Sequence, residues 1–263
     1  MFETTRFQAE RRLPAAIVIG LGLGGFGAMM TLLAPGIVGD VDMAALLQQF
    51  PESMVEGFDL AAMATVEGFV AIEIYQYVWL LGLGGYLAYI AAGSIAGDID
   101  SGRMDTLLAA PIARWHLLVE TYLGLLAPIV VVNAIVFAAV AGANVLIADS
   151  MSFVDLAAVH ALSIPYLLAC GAIGTLASVA APRRRIAEGV AAGGIVGAYL
   201  LESLVQGTDL EWLGAISPTR YYDPLDILTA SGYDPAGAGI LLGAAVVLVA
   251  ASALLFGEVD LHD

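Results

Sequence analysis

The chain has no lysine, one cysteine and three histidines among its 263 residues, and only 13% of its side chains are charged. Each shortage excludes something. A P-loop needs a lysine to meet nucleotide phosphates, so ATP hydrolysis by that route is ruled out. A single cysteine, Cys170, builds neither a disulfide framework nor a thiolate metal cluster. Lying within an apolar run, it reads as a small buried side chain. His116, His160 and His262 are far apart in sequence, and neither H-E-x-x-H nor G-x-S-x-G occurs. The histidines are read as polar groups at span ends. No catalytic residue, no metal site and no cofactor are expected. Bases are scarce as well: nine arginines stand against 25 acids, for a net charge of −16. That balance argues against nucleic acid or anionic lipid as a partner, since both require a basic footprint.

What the chain has in abundance is apolar surface. Hydrophobic residues make up 60% of it and the mean hydropathy is +0.89. A soluble domain carries about 25% charged residues, so this composition belongs to an all-α, polytopic membrane protein. An acid-rich chain without lysine also has the composition of proteins from salt-accumulating halophiles. Spanning a bilayer core of about 30 Å takes roughly 20 apolar residues. Apolar runs place six spans at about 13–33, 75–96, 118–147, 156–181, 186–205 and 238–256, the fifth interrupted by Glu188 and Glu202. Pro14 is tolerable in the opening turn of the first, where its missing N–H would be unpaired anyway. The stretch 1–12 is a short amphipathic segment before that span, which is retained and not cleaved as a signal peptide.

Arginine sets the topology. With the N-terminus inside, Arg6, Arg11, Arg12, Arg103, Arg114, Arg183, Arg184 and Arg185 are cytoplasmic and only Arg220 is outside. This is a positive-inside pattern with both termini in the cytoplasm, in a plasma-membrane protein. Residues 34–74 and 206–237 become external loops, and 97–117 a cytoplasmic one. The 34–74 loop holds seven acids and no base. Its apolar spacing predicts short amphipathic helices on the outer membrane surface, one of them starting near Pro51.

The stretch LGLGGF at 21–26 returns as LGLGGY at 81–86, and its first copy matches the G-x-G-x-x-G spacing of dinucleotide-binding loops. That motif needs a preceding strand and a helix opening at the glycines, whereas these glycines lie inside an apolar helix. They are read instead as close-packing positions between spans. Gly20/Gly24, Gly93/Gly97, Gly193/Gly197 and Gly239/Gly243 share small-xxx-small spacing. Three intramembrane polar residues, Asn133, Glu188 and Glu202, are functional candidates by their location.

The most informative segment is GDIDSGRMDTLLAAPIARWHLLVETYLG, residues 97–124. Asp98 and Asp100 precede a short helix that Ser101 would cap, so that its macrodipole favours the acids. Met104, Leu107 and Leu108 form an apolar face at helical spacing. Pro111 ends the helix, and Arg114 begins an amphipathic run into span three. A short helix with exposed leucines suits docking into a groove on a soluble partner.

This segment resembles the loop after the second span of ABC-2 type transporter permeases, with its acid-x-acid-x-G-x-x-acid-x-x-L-x-x-P-x-x-R pattern. Asp98, Asp100, Gly102, Asp105, Leu108, Pro111 and Arg114 stand at those places. The six-span layout and ISPTRYYDPLDIL at 216–228 are also similar to members of that family. Members often carry a lysine shortly after the arginine, where this chain has Glu120 and Thr121. The resemblance implies a permease whose coupling helix, between spans two and three, docks on a separate ABC ATPase. It implies two permease copies, as a homodimer or paired with a second permease, working with two ATPase subunits. Two other readings stand beside it: a proton-coupled secondary transporter using Glu188 and Glu202, and a non-transporting membrane anchor or assembly factor.

Overall fold

The computed structural model describes residues 3–258, except 41, 52, 53, 56, 57, 110, 111, 149, 150 and 182, and leaves out the side chains of 43, 44 and 105. Pro111, His262 and the side chain of Asp105 therefore lie outside the described residues. Regular structure among these residues is entirely helical. The elements are α1 (Glu3–Asp40), α2 (Met43–Leu47), α3 (Val66–Asp100), α4 (Arg103–Leu108), α5 (Arg114–Leu123), α6 (Leu126–Asn144), α7 (Phe153–Ala180), α8 (Arg184–Val205), α9 (Pro224–Ala230) and α10 (Pro235–Glu258). Six segments are long and apolar enough to cross a membrane: α1, α3, α5 with α6, α7, α8 and α10.

Several helices run beyond their apolar cores. α1 starts at Glu3 and continues through both Pro14 and Pro35, so Pro14 is interior to the helix and not in its opening turn. The turns ahead of it are held from outside: Glu120 Oε2 accepts from the backbone N–H groups of Thr4 (3.0 Å) and Thr5 (3.3 Å). Arg12 Nη1 donates to the Thr121 carbonyl at 3.3 Å. Fixing those turns keeps helical a segment that composition alone reads as separate. The second span likewise begins at Val66, where Thr65 caps it by accepting from the Gly68 N–H at 3.1 Å. From Ala71 to Gly84 this span is π-helical, and it returns to α geometry at Gly85. The loop ahead of it is thereby shorter than 34–74. That loop holds α2 and a 3₁₀ turn at Leu60–Ala64, and the N–H groups of Met54 and Val55 donate back to the Pro51 carbonyl.

α3 and α7 are the most buried spans, and their side chains Tyr75, Trp79 and Tyr166 are fully enclosed. Glycine sets the approach of the helices. A Cβ on Gly174 would overlap the Ala88 carbonyl of α3, and one on Gly84 would lie 2.7 Å from the Tyr166 hydroxyl. The first glycine string faces α6, since Cβ atoms on Gly20, Gly24 and Gly27 would press on Ile135, Ala139 and Val140. Within the repeated stretch, Gly24 and Gly84 pack against other helices, while Gly22, Gly25 and Gly85 have nothing within 4 Å of a built Cβ. Gly193, Gly197, Gly239 and Gly243 likewise have nothing within 4 Å of a built Cβ. These two pairs lie on the outer surface of the bundle and pack against nothing among the described residues.

Candidate functional site

The segment between spans two and three is built from three helix ends. Asp98 and Asp100 belong to the last turn of α3, and do not precede a new helix. Ser101 closes that helix: its φ of −89° and ψ of −1° remain helical, and its hydroxyl donates to the Gly97 carbonyl at 2.7 Å. An N-cap has extended backbone, so the expected capping role of Ser101 is overturned. Gly102 reverses the chain at φ 68°, a left-handed value that glycine adopts without strain. The reversal brings Arg103, the first residue of α4, to 2.6 Å from Asp98.

The acids do serve a macrodipole, but that of another helix. Asp100 Oδ2 accepts from the backbone N–H of Arg184 at 3.0 Å, at the N-terminus of α8. A carboxylate there meets the positive end of the helix. Arg114 does the converse at the C-terminal end of α10. Its guanidinium donates to the carbonyls of Phe256 (3.3 Å) and Gly257 (3.5 Å) and stands 5.9 Å above the Phe256 ring, in the last turn of α10. The segment thus fastens the ends of α3, α8 and α10 together.

The apolar face of α4 is largely covered by the protein itself. Met104 is 1% exposed, while Leu107 and Leu108 are half-buried against the core and Thr106 is exposed. Glu120, in the place where the resemblance leads one to expect a lysine, is buried, pairs with His116 Nε2 at 2.8 Å and caps α1. No pattern in the sequence signalled that latch, because its two halves lie more than a hundred residues apart.

Asn133 sits in a network that sequence reading found only in part. Its Nδ2 donates to the Ile129 carbonyl at 3.0 Å, which orients the amide. Oδ1 then accepts from Ser163 Oγ at 3.0 Å and lies 3.1 Å from His160 Nδ1. An amide oxygen only accepts, so Nδ1 carries the ring proton, and Nε2 accepts from the Tyr75 hydroxyl at 3.0 Å. The rings of Tyr75, Trp79 and Phe137 surround the imidazole. His160 is therefore a buried structural group and not a residue at the interface. The one-turn spacing of His160 and Ser163 in an apolar run was the available signal.

Glu188 and Glu202 occupy opposite ends of α8, roughly 20 Å apart at 1.5 Å per residue. Glu188 is buried and paired with Arg184 Nε at 2.6 Å. The pair lies over Gly93 and Gly97, where any Cβ would collide with it. Glu202 accepts from the Thr219 hydroxyl, which is 2.5 Å from Ser217 Oγ.

Two cavities flank these residues. One of about 400 Å³ lies between α1, α3, α6 and α8, at the end of the bundle that carries eight of the nine arginines. The other, about 330 Å³ at the opposite end, is lined by Asp59, Gln76, Tyr199, Glu202, Arg220 and Asp223 among others. Burial raises the Asp59 carboxyl above its ordinary value, and the Asp223 charge raises it further. Burial raises the Asp223 carboxyl too. Among the described residues no cluster of three histidine, cysteine or acidic side chains could hold a metal ion.

A family model described as "ABC-2 family transporter protein" matches residues 17–261. No curated protein matches the chain.

Proposed function

Because the chain belongs to the ABC-2 family of transporter proteins, we propose that this membrane permease is driven by a separate ABC ATPase docking at residues 97–117. On this reading the arginine-rich end faces the cytoplasm, and two copies, or one copy and a second permease, work with two ATPase subunits in the plasma membrane. The observation that carries the reading is the fastening of that segment to three spans. Asp98 holds Arg103, Asp100 holds the start of α8, and Arg114 holds the end of α10. A push on α4 therefore has routes into the bundle, through Arg103 to Asp98 of α3 and through the buried Met104. A partner shifts a conformational equilibrium only if it contacts two states differently, and α4, tied to α3 through Arg103, is placed to make such a contact. The distance between Glu188 and Glu202 speaks against a single proton relay joining them.

Docking is tested by co-purification with the ATPase encoded nearest to this permease. Leu107→Asp/Leu108→Asp should abolish it, since truncating a buried interface anchor often costs over about 1 kcal/mol and a buried charge adds to that. Both leucines also pack on the core, so Thr106→Arg, on the exposed side of α4, serves as the surface variant. It should weaken docking while leaving thermal unfolding unchanged. Full retention of the ATPase by Thr106→Arg and by the double variant would place the docking surface elsewhere, with Arg183–Arg185 next to test.

A further inference from the structure

Bases are scarce in this protein, yet four of the nine, Arg11, Arg12, Arg103 and Arg184, line one cavity of about 400 Å³ between α1, α3, α6 and α8. Location at the arginine-rich end does not explain this, because Arg6, Arg114, Arg183 and Arg185 share that end without lining the cavity. Asp98, Gln8, Ser94 and Ser101 line it as well, and the remaining wall is of a different kind. Ile19, Leu83, Leu87, Ile90, Ile129 and Val132 line it from α1, α3 and α6.

We propose that this cavity binds a phosphate-bearing amphiphile, its phosphate held by the arginines and its hydrocarbon laid along the apolar wall. The inference concerns the cavity alone and does not rest on ATPase docking. Two arginines are already matched by carboxylates: Arg103 by Asp98 and Arg184 by Glu188. Arg12 donates to the Thr121 carbonyl, and the Asp98 charge also acts on it and on Arg11. Arg11 makes no hydrogen bond or ion pair among the described residues. Positive charge therefore remains for an anion with several oxygens, which the planar donors of guanidinium groups suit. Gly93 and Gly97 contribute by letting Arg184 lie flat against α3. The volume falls within the range of about 300–1,000 Å³ common for small-ligand sites. The net charge of −16 does not forbid an anion here. Charges beyond about 8 Å are largely screened at physiological salt, so the local arginines outweigh distant acids. The overall composition argued against anionic lipid; the tertiary arrangement reverses that at one place.

The test titrates the purified full chain, in uncharged detergent, with three probes: dihexanoyl phosphatidylglycerol, dihexanoyl phosphatidylcholine and inorganic phosphate. Phosphatidylglycerol should bind most tightly. Arg11→Gln, at an exposed position, should weaken it, and Arg11→Gln/Arg12→Gln should weaken it about tenfold or more. Arg183→Gln/Arg185→Gln removes equal charge from the same end and should leave binding unchanged. Ile90→Trp, which fills the apolar wall, should weaken phosphatidylglycerol while sparing any weak binding of phosphate. Equal loss in the Arg183/Arg185 control, or phosphate binding as tightly as the amphiphile, would overturn the proposal. Two sources of such a ligand are distinguished by reconstitution into nanodiscs of mixed anionic and zwitterionic lipid. Selective retention of anionic lipid on re-extraction identifies the bilayer as the source. Binding of the short-chain probe without that retention identifies an amphiphile arriving from the aqueous side.

Discussion

Inside an apolar bundle a histidine is comfortable only when both ring nitrogens have partners, and His160 has Asn133 on one side and Tyr75 on the other. The pairing binds α6, α7 and α3 through side chains that water does not reach. Replacing His160 by leucine strands the Tyr75 hydroxyl and removes a partner from Asn133. Each buried polar group left without a hydrogen bond costs about 1–3 kcal/mol, so thermal unfolding in detergent should shift down clearly. His160→Leu combined with Asn133→Leu should cost less than the sum of the two single changes, because the second removes a group the first has orphaned. Strict additivity would mean that the network is not a unit. The same logic of paired groups explains the acids of the 97–124 segment. Asp98, Asp100 and Arg114 satisfy helix ends and a neighbouring charge, and the motif they form is legible in sequence while their partners are not.

Among helices, glycine has two distinct meanings in this protein. Gly174 lies at the closest approach of α7 and α3, and a methyl group there would meet the Ala88 backbone. Backbone cannot step aside as a side chain does. Gly174→Ala should therefore destabilise by about 1–3 kcal/mol, the usual cost of overpacking. Gly193→Ala, in open space on α8, should be neutral or stabilising by about 0.5–1 kcal/mol through helix propensity. Unfolding temperatures of the two variants in one detergent provide the comparison, and an equal shift in both would remove the packing argument. Both glycines occur in similar small-residue surroundings, and periodicity gives no means of telling them apart. α4 shows a related ambiguity. Its apolar spacing is plain in the sequence, but that Met104 turns inward while Thr106 faces out is a property of the fold.

Across the whole molecule, the first turns of α1, the ends of α3, α7 and α10 and the starts of α5 and α8 gather at one end. The contacts of Glu120 with Thr4, Asp100 with Arg184 and Arg114 with Phe256 join them. Eight of nine arginines lie at that end, and Arg220, bonded to Glu211, lies at the other. On the proposed orientation, which follows the positive-inside asymmetry, the arginine end is cytoplasmic. Cysteines placed at Gln49 or Thr208 should then react with an impermeant thiol reagent in intact cells, and cysteines at Ser101 or Arg183 only after lysis. Native Cys170 is fully buried and should give little background. Labelling of position 101 from outside would invert the orientation and take the proposed docking site away from the ATPase.

The amino-acid sequence by itself determined that this is a six-span helical membrane protein and where the apolar core of each span lies. Its loop motif also pointed to the family. These features depend on composition and on periodicity within one helix, which neighbouring residues report directly. Only the tertiary structure decided which glycines touch another helix, that Glu120 caps α1, that His160 is a buried network member, and that four of nine arginines share one cavity. Each of those depends on residues distant in sequence being brought within a few ångströms, and no local pattern encodes such a meeting.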